Sequence, residues 1–111
     1  MPVIKIDYDN KKFNEVTVAK LVKELQHVTA GASQLGIEDV SVYANANEIA
    51  VNAAPMEVYI QVGSASIPGG DMEKMLDTIA QRLRKFKDSN NISIPINISV
   101  VQMTWKFKLG I

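Results

Sequence analysis

Cysteine is absent from this chain and histidine occurs once, at His27. Without cysteine there is no disulfide, no thiolate nucleophile and no sulfur ligand for a metal. With a single imidazole besides, the expectation is no metal and no other cofactor. Net charge is also missing. The 12 basic and 12 acidic residues balance, so no overall field draws nucleic acid or an anionic membrane. Aromatics make up 6% of the chain and are scarce in its central strand-like runs, which argues against an RNA-recognition sheet. No apolar run approaches the ~20 residues of a membrane helix. Lys5, Asp7 and Asp9 stand where a signal peptide would carry its apolar segment. The expected location is cytoplasmic.

What remains is an ordinary globular composition. The 111 residues are 47% apolar, with a mean hydropathy of +0.02. This length suits one domain, 1–111, burying roughly 60–70% of its unfolded surface. Two similar halves, about 2–45 and 56–101, are expected within it. Residues 2–8 alternate, with Pro2, Ile4, Ile6 and Tyr8 on one face and Val3, Lys5 and Asp7 on the other. From about Glu15 the spacing turns helical, and Val18, Leu21, Val22, Leu25, Val28 and Ala32 fall on one stripe. Asn14 or Thr17 suits its start, Gly31 or Gly36 its end. A strand is expected over 39–45, with Val40, Val42 and Ala44 on one face.

"NANEIAVNAAP" reads as a turn plus a short extended piece, and then the plan repeats. "MEVYIQVGS" alternates as a strand, "IPGG" turns the chain, and Asp71 suits the cap of a second helix. In that helix Met72, Met75, Leu76, Ile79, Leu83 and Phe86 form the apolar stripe. "NISIPINISVV" is the last long strand, stacking Ile92, Ile94, Ile96, Ile98 and Val100 on one face, with Pro95 marking an edge or a bulge. The economical arrangement is an α/β two-layer fold of α+β type. Duplicated β-α-β units form a four-stranded sheet with both helices on its apolar face. The opposite face carries Lys5, Asp7, Ser41, Tyr43, Glu57, Tyr59, Gln61, Ser93, Asn97 and Ser99. It is either wet or the inner surface of an assembly. The ferredoxin-like fold has the same element order, and pattern alone does not separate the two.

Most reactive residue types have plain explanations. His27 lies opposite the apolar stripe of its helix, as a surface residue does. "IPGGD" lacks the lysine and spacing of a phosphate loop, and Asp71 would repel phosphate there. Met72 and Met75 fit a core. The basic residues late in the second helix fit a solvated helix end. "MTWKFKLGI" is different. Trp105 and Phe107 alternate with Lys106 and Lys108 as in a further short strand, which is either plain packing or an aromatic wall beside cations suited to a small carboxylate.

Pro2 carries the sharpest chemistry. Loss of Met1 would turn its nitrogen into a secondary amine. An α-amine ordinarily titrates at about 8, and burial in an apolar pocket lowers that value toward neutrality. Such an amine is a competent base for moving a proton between carbon and oxygen, and the resulting enolate needs nearby donors or cations.

These features together resemble the tautomerase superfamily, and within it the 5-carboxymethyl-2-hydroxymuconate isomerase branch. The resemblance rests on Pro2 directly after Met1, the two β-α-β units, "MEVYIQVGS" running through "GGDMEKML", and a "TWKFK" tail similar to that branch's Phe-Lys ending. It spans essentially the whole chain. It implies a tautomerase-like fold and a homotrimer with sites between subunits, the non-helical sheet face turned to the trimer centre. It further implies Pro2 as general base interconverting keto and enol forms of a small 2-oxo or 2-hydroxydienoate acid. Only Pro2 carries over directly. Where the isomerases have arginines on the second strand this chain has Ser41 and Tyr43. It has Gly69-Gly70 in place of Gly-Arg, and Asn97 and Ser99 in place of acids. Ser and Tyr do not replace the bidentate fork of Arg. The expected substrate-binding residues are therefore Tyr43, Asn97, Trp105, Lys106 and Lys108, the lysines serving as point charges for a small carboxylate or enol. The expected function is a tautomerase or isomerase. Its rivals are a non-catalytic oligomer of the same fold that binds a small molecule or a protein, and a ferredoxin-like regulatory module.

Overall fold

A computed structural model describes residues 2–111. Whether Met1 is kept or removed lies outside the described residues. Strand β1 (Val3–Tyr8) leads into helix α1 (Glu15–Ser33), and β2 (Ser41–Ala46) and β3 (Met56–Val62) follow; helix α2 (Met72–Ser89) and β4 (Asn97–Gln102) complete the order. The strands form one sheet in the order β2-β1-β3-β4. β1 is parallel to β2 and antiparallel to β3, and β3 is parallel to β4. α1 packs on β2, α2 on β4, and the helices pack on each other, so both cover one face. This is the expected two-layer α+β fold. The ferredoxin-like alternative is overturned, because a split β-α-β separates the two strands of a unit, whereas here β1 pairs directly with β2.

Strand alternation decides which face is buried. Ile4, Ile6, Val58, Ile60 and Val62 are fully buried under the helices, where Leu21, Leu25, Met75 and Ile79 meet them. Lys5, Asp7, Tyr43 and Tyr59 stand exposed on the other face. Asn14 caps α1, its Oδ1 accepting from the Thr17 amide at 2.8 Å. Asp71 caps α2, its Oδ1 accepting from the Lys74 amide at 3.0 Å. Met75 is core and Met72 packs against it. His27 is exposed, its Nδ1 2.8 Å from the Lys23 carbonyl oxygen.

Several boundaries differ from the sequence expectations. α1 runs through Gly31 and ends at Gln34, which adopts the left-handed conformation (φ 57°) and donates its amide to the carbonyls of Ala30 and Gly31. The helix thus stops on a side-chain-bearing residue, with Gly36 left as ordinary extended backbone. Residues 47–55 contain no strand; they form bends, with Asn52 in the left-handed conformation (φ 55°). β4 starts only after Pro95, since residues 91–96 pack their isoleucines on the core without joining the ladder. Pro95 therefore precedes an edge strand, where its missing N–H leaves no sheet bond unmade. No fifth strand forms over 103–111.

This core yields a stability prediction. Ile60→Ala, at a fully buried position of an interior strand, is expected to lower unfolding free energy by about 2–5 kcal/mol. Asp71→Ala, which removes one cap, is expected to cost about 1 kcal/mol. Urea denaturation followed by circular dichroism measures both, and the order of the two losses is the check.

Candidate active site

β1 is an interior strand, and a proline within it would break the ladder. Its pairing begins at Val3, opposite Ser41 on one side and Gln61 on the other. Pro2 sits one residue ahead, where a missing donor costs no sheet bond. Its carbonyl still accepts from the Ser41 amide at 3.2 Å, which anchors it, and its ring is fully buried. The nitrogen of residue 2 is thus outside the hydrogen-bonded ladder at one end of the sheet.

The C-terminal tail comes to the same end. The Met103 amide donates to the Val62 carbonyl at 2.8 Å, fastening the tail to the end of β3. Beyond it the chain is irregular but keeps a two-residue alternation. The Trp105 ring lies over Gly63, so closely that a Cβ built on Gly63 would stand 3.4 Å from Trp105 Cζ3. Trp105, Phe107 and Leu109 point the same way and, with Val3, line a cavity of about 170 Å³. Val3 belongs to the non-helical face, so the cavity sits on that face, beside the start of β1. Phe107 is 69% and Leu109 76% exposed, so the far wall is open to solvent.

The cavity gathers only part of the expected set. Trp105 forms a wall, with Pro2 adjacent in sequence to Val3. Lys106 and Lys108 fall on the alternate side of the tail, exposed and outside the lining. Tyr43 is opposite Lys5, two residues further up the sheet, about 7 Å away along the strands. Asn97 lies in the row Asp7–Glu57–Asn97, about 13 Å along the strands from the Val3 row, and its Nδ2 donates to Glu57 Oε1 at 3.1 Å. A single chain does not bring Tyr43 or Asn97 to the cavity. Val3, Phe107 and Leu109 line the cavity but are absent from the expected substrate-binding set. Val3 was signalled as the one apolar residue beside Lys5 and Asp7 on its face, and Leu109 as the continuation of the Trp-Lys-Phe-Lys alternation. Among the described residues no group of three His, Cys, Asp or Glu side chains converges to hold a metal ion, and no helix is long and apolar enough to cross a membrane.

No protein-family model and no curated protein matches this chain in sequence. Its fold, however, has solved counterparts. A domain of unknown function from Sebaldella termitidis superposes with a TM-score of 0.71 at 8% identity, over 100% of this chain and 98% of that one. A 5-carboxymethyl-2-hydroxymuconate delta-isomerase gives 0.67 at 14% identity, over 99% and 89%. A fused 4-OT wild-type asymmetric trimer gives 0.66 at 14% identity, over 97% and 92%. Identity this low carries the fold alone. The fold is tautomerase-like, as the resemblance implies.

The chain holds one tryptophan, so its emission reports on the tail directly. Gly63→Leu is expected to push the Trp105 ring off β3 and shift its emission to the red, with far-ultraviolet circular dichroism unchanged. Gly63→Ala, whose Cβ reaches the ring at near-ordinary contact distance, is expected to leave the emission in place. Equal spectra for all three proteins would mean that the ring does not rest on Gly63.

Proposed function

We propose that this chain is a tautomerase or isomerase of the 5-carboxymethyl-2-hydroxymuconate isomerase type, acting on a small 2-oxo or 2-hydroxydienoate-type acid. The observation that carries the reading is a fully buried proline at residue 2, next in the chain to Val3, which lines an apolar cavity. Once Met1 is removed, the Pro2 nitrogen is a secondary amine in dry surroundings, where the ammonium form is disfavoured and the neutral base is available near pH 7. That nitrogen takes a proton from the carbon next to the keto group. The C–H electron pair becomes the new C=C bond, and the carbonyl π pair moves onto oxygen. The proton is then returned to the oxygen, giving the enol; the reverse sequence regenerates the ketone.

In this reading Trp105 is the apolar wall against the substrate body. Lys106 and Lys108, on the same tail, supply cations at the rim for the carboxylate or the enolate oxygen. Tyr43 and Asn97 serve as donors from a neighbouring copy in a homotrimer that packs the non-helical faces inward. The trimeric fused 4-OT with which this fold superposes supports that assembly. The protein is then a single domain, 1–111, working in the cytoplasm without cofactor. A second reading has its own support. The cavity lining, Val3, Trp105, Phe107 and Leu109, contains no charged side chain, which suits a non-catalytic oligomer holding a small apolar molecule.

Two measurements test the proposal. Pro2→Ala is expected to slow enol–keto conversion of phenylpyruvate by about 10²–10⁴-fold. An unchanged rate removes the proline from the mechanism, and a wild-type protein that binds without turnover favours the second reading. Intact-mass analysis is expected to find Met1 absent. Light scattering is expected to give about 37 kDa, three chains of 12.2 kDa; a value near one chain would overturn the trimer.

A further inference from the structure

A second concave site lies between α1 and α2 and shares no residue with the cavity walled by Trp105. It is an open groove of about 580 Å³. Lys20 and Lys23 of α1 face Arg82 and Lys85 of α2 across it, with Glu24 the one carboxylate and the buried Phe86 contributing apolar lining. The helix dipole does not account for these cations. Its pull is confined to the last turn, and the basic residue there is Lys87 in α2, with none in α1. Lys20 and Lys23 are mid-helix, and Arg82 and Lys85 lie at least a turn inside the end of α2. The whole chain is electrically neutral, yet this groove holds three more cations than carboxylates.

Glu24 is already engaged, since its Oε1 accepts from Arg82 Nε at 2.6 Å, the one ion pair among the described residues. That contact fixes the guanidinium in place and uses one of its five donors, leaving the rest available. Lys20, Lys23 and Lys85 are left without a carboxylate. Like charges facing each other across the groove repel, and an anion seated between them relieves that repulsion. The partner that satisfies a fixed fork and three mobile ammonium groups together is a linear anion with several charges. A single carboxylate would answer only one of them.

We propose that the α1–α2 groove binds an oligophosphate chain, either inorganic or carried by a nucleotide. The test is an amide NMR titration of the whole protein with inorganic triphosphate at low ionic strength, where surface electrostatics are least screened. The expected result is saturable shifts confined to residues 20–24 and 82–90. Lys20→Gln/Lys85→Gln is expected to weaken binding at least about tenfold. Lys11→Gln/Lys12→Gln removes the same charge outside the groove and is expected to change it by no more than about twofold. In a second arm with ATP, affinity well above that for triphosphate assigns a nucleotide as ligand, and equal or lower affinity assigns the phosphate chain itself. The proposal is overturned by the absence of saturation, by shifts scattered elsewhere, or by equal losses in the two double variants.

Discussion

The whole structure depends on β1 being hydrogen-bonded along both edges. Paired in parallel with β2 and antiparallel with β3, it joins two β-α-β units into one sheet and puts both helices on one face. Each unit alone would be two strands under one helix, too little surface to bury its apolar stripe. Joined through β1, the two stripes share a single core in which Ile4 and Ile6 are fully covered. Because side chains alternate strictly, a slip of one residue would send Lys5 and Asp7 into that core. The register is therefore fixed by burial on one face, and the other face is left to form a site.

That same constraint governs what residue 2 can be. An interior strand tolerates proline only before pairing starts, and the bond from the Ser41 amide to the Pro2 carbonyl holds the residue at that threshold. A nitrogen there bears no ladder bond and lies beside buried side chains. Its chemistry then turns on one covalent event. Joined to a preceding residue it is an amide with no basic lone pair; freed, it is an amine in low-dielectric surroundings. The fold supplies the burial, and in the proposed mechanism removal of Met1 would supply the base.

Much of this was legible in the sequence because the relevant signals are periodic. Alternation in "VIKIDY" and "MEVYIQV" and the 3.6-residue stripes of both helices gave the layers and the buried face; Asp71 marked one cap, and Asn14 was one of two candidates, with Thr17, for the other. The failures lie where local chemistry has more than one outcome. Gly31 looks like a helix stop, but α1 continues through it and turns at Gln34. Residues 47–55 look partly extended, but they form bends and join no ladder, and Asn52 adopts a left-handed conformation there. The site was harder to read. Pro2 and Trp105 were legible by type, whereas Val3 and Gly63 matter through a contact that only tertiary folding creates. Tyr43 and Asn97 share a face with the cavity, yet rows of the sheet separate them from it, and position along a strand is set by pairing register, which the one-dimensional pattern does not contain.

The tail divides its labour by the same two-residue alternation that organises the strands. Trp105, Phe107 and Leu109 face the cavity, while Lys106 and Lys108 face away. For the proposed reaction this separation constrains the substrate. Its body must be apolar enough to displace water from a pocket with no charged lining, and its anionic end must remain at the rim, within reach of lysine side chains long and flexible enough to bend over the tail. An arginine fork inside the pocket would instead hold a carboxylate rigidly and favour a compact dianion. Lysine at the rim binds as a mobile point charge, so orientation has to come from shape, chiefly from the Trp105 ring held against Gly63. With Ser41, Tyr43 and Gly70 offering no guanidinium and an aromatic ring forming the wall, the proposed site would recognise its substrate by apolar fit rather than by charge geometry.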